Sequence, residues 1–132
     1  MKYLLDTDIC IYLIKKQPLS VLDKLRACQV GDVAISAVTV AELRYGASKS
    51  QRAQKNHEAL DLFLAPLETL AFDESAAATY GEIRAKLEIA GRPIGPLDTL
   101  IAAHAMSLRV ALVTNNVGEF QQVAGLNVER WV

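Results

Sequence analysis

The sequence predicts an α/β fold: a mostly parallel, five-stranded sheet with helices on both faces and a helical hairpin. Three observations carry this. Short apolar runs alternate with helix-period segments from end to end. No repeat, low-complexity tract or long linker divides the 132 residues. The strands are separated by helical crossovers, the connection that parallel strands require. One domain, residues 1–132, is expected, because a chain of this length builds one sizeable core more readily than two.

Residues 2–6 read as the first strand, apolar until it breaks on Asp6, and 8–16 as an apolar helix. Pro18 opens a second helix through Leu22, Leu25 and Cys28, since its fixed φ suits a first helical turn. Val33–Ile35 is a short buried strand. Ser36 then caps a helix over 37–47 that ends near Gly46, and another follows over 50–65 with Ala53, Leu60 and Leu64 on one face. These two form the hairpin. Leu67–Phe72 is the third strand, and Asp73 caps a long helix in which Ala76, Tyr80, Ile83 and Leu87 recur at helical spacing until Gly91. Gly91–Pro96 holds two glycines and two prolines and so redirects the chain. Pro96 starts the next helix, which runs to Arg109. A strand over 110–114, a short helix near 117–123 and a last strand around 127–130 complete the pattern.

Hydrophobic residues make up 52%, yet every apolar run is far shorter than the roughly 20 residues of a membrane-spanning helix. Asp6 and Asp8 interrupt any secretory signal at the N-terminus, so a cytoplasmic protein is expected. Cys10 and Cys28 match neither a redox pair nor a zinc pattern and read as core thiols. His57 and His104 are isolated, and His104, within Ala102–Met106, reads as a packed helix residue. The net charge of −1 announces no polyanion, but Arg44, Lys49, Arg52 and Lys55 form a basic stretch free of acids. On its own that stretch reads as a solvated helix face.

Three carboxylates fall at element boundaries. Asp6 ends the first strand, where an open parallel sheet presents functional groups to its ligand crevice. Glu42 lies six residues past Ser36, less than two helical turns from the same sheet edge. Asp98 sits in the first turn after Pro96, where an acid also complements the helix dipole. Carboxylates converging on one crevice repel one another unless protons or cations compensate. Magnesium or manganese, which prefer oxygen ligands and suit phosphate substrates, meet that need without a thiol or imidazole. Such an ion activates water toward a phosphodiester.

Leu5-Asp6-Thr7-Asp8, Ser36–Gly46, Pro96-Leu-Asp98 and Val113–Asn116 together resemble the PIN-domain nucleases, and within them the VapC toxins of bacterial toxin–antitoxin pairs. The resemblance spans the whole chain and implies a PIN-like fold and a metal-dependent endoribonuclease toxin acting on structured RNA such as tRNA. It makes Asp6, Glu42 and Asp98 the catalytic carboxylates that bind Mg2+, or Mn2+, and it gives Thr7 and Thr114 the orientation of ligands or solvent. Many relatives carry an aspartate two residues after the threonine, where this chain has Asn116. Glu119, about one turn further, or a water network would replace it, and the number of ions stays open. Asp8 is read as a helix-start residue and left out of the ligand set.

If the substrate is RNA, Arg44, Lys49, Arg52 and Lys55 become candidate phosphate contacts. For Tyr45, base stacking and a half-buried packing position both stay open. The resemblance also implies a homodimer and a small VapB-like antitoxin, with a tail over the active-site groove and a basic side chain among the acids. DNA would be met only through that antitoxin.

Two other readings compete. A phosphatase of the haloacid dehalogenase type also starts with a strand ending in two aspartates one residue apart, but Cys10 stands where that family wants threonine or valine. A non-catalytic PIN-fold binding module is kept open by Asn116 and opposed by the three carboxylates.

Overall fold

The computed structural model describes residues 1–132. Its elements are β1 (Tyr3–Leu5), α1 (Thr7–Lys15), α2 (Leu19–Arg26), β2 (Val33–Ser36), α3 (Ala37–Lys49), α4 (Ala53–Leu64), β3 (Glu68–Leu70), α5 (Glu74–Ile89), α6 (Pro96–Leu108), β4 (Ala111–Val113), α7 (Val117–Phe120) and β5 (Val128–Glu129). The strands form one sheet of order β3-β2-β1-β4-β5 in which every neighbouring pair is parallel. The chain leaves β1 toward β2 and β3 and later returns to β1's other side as β4. That reversal opens a crevice at the carboxyl ends of β1 and β4, where ligands of such sheets bind.

Alternation along each strand divides the core between the two sheet faces. Leu4, Ala34 and Leu112 face one cluster with Ile83 and Leu87 of α5, Ile101 of α6 and Phe120 of α7. Their neighbours Leu5, Ile35 and Val113 face the other, with Ile9 and Leu13 of α1, Val21 of α2, Leu43 of α3 and Leu60 of α4. Helix α6 is buried nearly all round, from Thr99 through Ala105, and its alanines let the sheet and α5 approach closely. No helix is long and apolar enough to cross a membrane.

Several boundaries differ from the expected ones: Pro18 is the N-cap of α2 rather than part of its first turn, α2 stops at Arg26, β3 is shorter than 67–72 and α7 ends at Phe120, and three further differences have a clear local reason. Helix α3 continues through Gly46 to Lys49 because Leu43 and Ala47 are buried on its inner face, which outweighs the roughly 1 kcal/mol cost of a helical glycine. Ser50 closes α3 instead of starting α4: its hydroxyl donates to the Ala47 carbonyl at 2.7 Å and accepts from Asn56 Nδ2 at 2.8 Å. At the first helix the cap is Asp6, not Asp8, since Asp6 Oδ1 accepts from the Thr7 N–H at 2.8 Å. Ser36 and Asp73 cap α3 and α5 as expected, accepting from Val38 and Ala76 N–H. Cys10 is a core thiol, whereas Cys28 is half exposed because it follows the last turn of α2. His104 is buried, with Nδ1 at 2.8 Å from Ser36 Oγ and its ring edge-on to Phe72.

Candidate active site

Strand geometry places three of the expected residues at one edge. Asp6 follows β1, Thr114 follows β4, and the Thr114 hydroxyl donates to Asp6 Oδ2 at 2.7 Å. With the Thr7 N–H on Oδ1, both oxygens of Asp6 are fixed in a position only 5% exposed. Thr7 turns its hydroxyl the other way and donates to Glu42 Oε1 at 2.7 Å, which ties α3 to α1. Asp98 reaches the same edge from the first turn of α6, after Gly95 and Pro96.

Glu119 joins from α7. Its Oε1 accepts from the Gly95 N–H at 3.1 Å and its Oε2 from Asn116 Nδ2 at 2.6 Å, so it bridges the α6 and α7 entrances. The Asn116 N–H in turn donates to Thr114 Oγ at 3.0 Å. One turn, Thr114–Asn116, thus positions both Asp6 and Glu119.

The electrostatics follow from this crowding. Burial, then the charge of Asp8, pushes the Asp6 carboxyl up to about 7 against the opposing hydrogen bonds from Thr114 and Thr7. Burial, then a hydrogen bond to Glu119 and the charges of Glu119, Asp6 and Glu42, pushes Asp98 up to about 8. Glu119 moves down, chiefly because it accepts that hydrogen bond. Asp98 and Glu119 thus titrate as a pair, Asp98 shifted up and Glu119 down.

Asp8, expected as a helix-start residue near the site, makes a further contact that the sequence does not show. It lies in the first turn of α1, but its Oδ2 accepts from the Asn115 N–H at 3.0 Å and its Oδ1 is buried with no partner. The spacing of Asp6 and Asp8 alone does not reveal this, because the contact comes from the far end of the chain.

These donors suit a hard divalent cation. They are carboxylate and hydroxyl oxygens, and the nearby Cys10 thiol is buried with its ionisation pushed well up by burial. The raised carboxyls and the orphaned Asp8 oxygen are groups that a positive charge would relieve. No three acidic, histidine or cysteine side chains are tight enough to hold an ion unaided.

The basic residues divide. Arg44 is bound within the hairpin, to Asp61 at 2.5 Å and to His57 Nδ1 at 3.1 Å. Because arginine only donates, His57 Nδ1 accepts and its Nε2–H points to Ser48 Oγ at 3.0 Å, which makes His57 a brace for the hairpin. Lys49 lies over the ring of Tyr45, itself 66% exposed. Arg52 and Lys55 are exposed and form no salt bridge. Beside Glu42 and Thr7, a cavity of about 370 Å³ opens between α1, α3 and α4, lined by Ile11, Ile14, Leu43 and Leu60 with Lys15.

The model of the PIN domain family matches residues 3–126. The chain belongs to that family, on its VapC branch. The tRNA(fMet)-specific endonuclease VapC of Shigella flexneri is 45% identical over 131 residues, covering 99% of this chain and 98% of that protein. Ribonuclease VapC2 of Rickettsia felis is 43% identical over 132 residues, covering 99% and 98%. Among solved structures, VapBC2 of Rickettsia felis bound to a promoter DNA fragment superposes with a TM-score of 0.94 at 42% identity, covering 100% of both chains. DNA-bound VapBC of Salmonella typhimurium gives 0.95 at 39%, covering 100% and 99%. Membership in this family excludes the haloacid dehalogenase reading.

Proposed function

We propose that this chain is a divalent-cation-dependent endoribonuclease, the toxin of a toxin–antitoxin pair. The observation that carries the reading is the meeting of Asp6, Glu42 and Asp98 at the crevice between β1 and β4. Asp6, Glu42 and Asp98 would hold Mg2+ or Mn2+, with Glu119 beside them where Asn116 supplies no charge. Such an ion supplies an activated water and charge stabilisation for the phosphate and leaving oxygen.

The protein's own part is positioning. Thr114 and the Thr7 N–H keep Asp6 from rotating, and the Thr7 hydroxyl does the same for Glu42. Asn116 and the Gly95 N–H fix the Glu119 carboxylate near Asp98. Attack by water on the phosphodiester leaves 5'-phosphate and 3'-hydroxyl ends. Arg52 and Lys55 remain the exposed candidates for phosphate contact on the hairpin, with Lys49 stacked nearby and Arg44 serving mainly as a brace.

Structured RNA, tRNA in particular, is the substrate class, in line with the name of the Shigella flexneri relative. A VapB-like antitoxin is the partner, as in the Rickettsia felis and Salmonella typhimurium complexes, and contact with DNA would pass through it. The apolar cavity beside Glu42 offers its tail a seat. We place the protein in the cytoplasm as a homodimer.

The experiment is incubation of antitoxin-free protein with total cellular RNA, with and without chelator, alongside Asp98→Asn. RNA cut only with the cation present, and not by the variant, supports the reading. Tight antitoxin binding with no RNA cleavage would instead establish a non-catalytic binding module.

A further inference from the structure

We propose that Asp8 is a positioning residue of the cation site, its Oδ1 accepting a hydrogen bond from the hydration shell of the bound divalent ion. This rests on the cation reading given above. An acid in the first turn of a helix is ordinarily explained by the helix dipole, and it satisfies that role while remaining in water. Asp8 is half-buried, and one of its oxygens is removed from water. Its Oδ1 is one of only two buried side-chain polar atoms with no partner, the other being Thr39 Oγ1.

The neighbouring carboxylates show what Asp8 lacks. Asp6 has a protein donor on each oxygen, and Glu42 Oε1 has the Thr7 hydroxyl. Asp8 has one well-formed hydrogen bond, from the Asn115 N–H on Oδ2, with the Ile9 N–H and the Asp6 and Thr114 side chains as weaker neighbours, and its charge is the strongest of those acting on Asp6. Burying a carboxylate oxygen without a well-placed donor next to a second carboxylate costs stability, and a positive charge with its waters alongside offsets that cost. Outer partners of this kind orient and tighten a metal site without touching the ion. The Asn115 contact adds a clamp, since it holds the turn from which Thr114 reaches Asp6.

Charge and clamp are separable. Asparagine at position 8 keeps an acceptor for the Asn115 N–H but removes the negative charge. The test is titration of the antitoxin-free full chain with Mn2+, read by water proton relaxation, together with melting in chelator, for wild type, Asp8→Asn and Asp6→Asn. We expect Asp8→Asn to weaken Mn2+ binding by about 10-fold or more and to melt at the same or a higher temperature than wild type without the ion. A merely structural residue would lower both. Wild-type Mn2+ affinity in Asp8→Asn, or a loss of cation-free stability, overturns the proposal. Loss of Mn2+ binding in Asp6→Asn keeps the cation reading standing whatever Asp8 does, whereas a wild-type protein that takes up no Mn2+ removes both.

Discussion

Thr114 and Asp6 lie at the carboxyl ends of adjacent parallel strands, and the Thr114 hydroxyl donates to Asp6 Oδ2 at 2.7 Å. The register of β1 on β4, with Leu5 opposite Val113, is what brings the next residues of both strands together. A bond made by sheet register is rigid, which suits a ligand whose position matters within fractions of an ångström.

Thr114→Val keeps the shape and removes the donor. Thr114 is fully buried and its hydroxyl also accepts from the Asn116 N–H, so the loss of both bonds should cost at least about 1.5–3 kcal/mol of stability with the ion present. Cation affinity should fall by about 10- to 100-fold. Thr114→Ser should recover most of both, as measured by Mn2+ titration and thermal melting.

The pH dependence has a definite sign. Asp6 at about 7 and Asp98 at about 8 lie above the ordinary 3.8, so the folded, cation-free protein binds protons that the unfolded chain has released. Their contribution is fully present below the unfolded value and is lost as pH rises through 7 and 8. Cation-free melting temperature should therefore fall between pH 5 and about pH 8.5, and Mg2+ affinity should rise over the same window as protons cease to compete. Glu119, shifted the opposite way, acts only below its ordinary 4.5. Melting curves in chelator across this range check the sign, and Asp6→Asn should flatten the slope.

Asn116→Asp adds a negative charge beside the expected ligands. Here it would also place an acid against Glu119 Oε2, where the Asn116 amide now donates at 2.6 Å. Because position 116 is exposed, the cation-free protein should lose less than about 1 kcal/mol. Mg2+ affinity should rise, and calorimetric titration with and without Glu119→Gln separates the two effects.

Phe120 anchors α7 in the core and is fully buried. Phe120→Ala should destabilise by about 3–5 kcal/mol and loosen Glu119, one residue before it. Phe120→Leu should lose less on both counts, as read by denaturant unfolding and by Mn2+ titration.

The fold and the main carboxylates were legible because each sits beside a strong local signal. Asp6 ends an apolar run, Glu42 follows the Ser36 cap, and Asp98 follows Pro96. Contacts between distant segments were not legible. The pairing of Asp8 with Asn115 spans 107 positions, and that of Arg44 with Asp61 spans 17. No periodicity records either one, so Asp8 read as a helix-start residue and Arg44 as a free cation. The extent of α3 past Gly46 was hidden for a similar reason: a glycine weakens a helix locally, and burial of Ala47 against other elements decides the outcome.

Asp6, with Glu42 and Asp98, is proposed to direct cation-dependent hydrolysis of RNA. The most direct test is cleavage of purified tRNA by the antitoxin-free chain in a Mg2+ titration after chelation, comparing wild type with Asp6→Ala and analysing the product ends. We expect no cleavage in chelator, recovery with Mg2+, 5'-phosphate ends, and a rate for Asp6→Ala lower by more than the roughly 100-fold that loss of an outer partner costs. Cleavage by Asp6→Ala at the wild-type rate, or undiminished cleavage in chelator, would contradict this role.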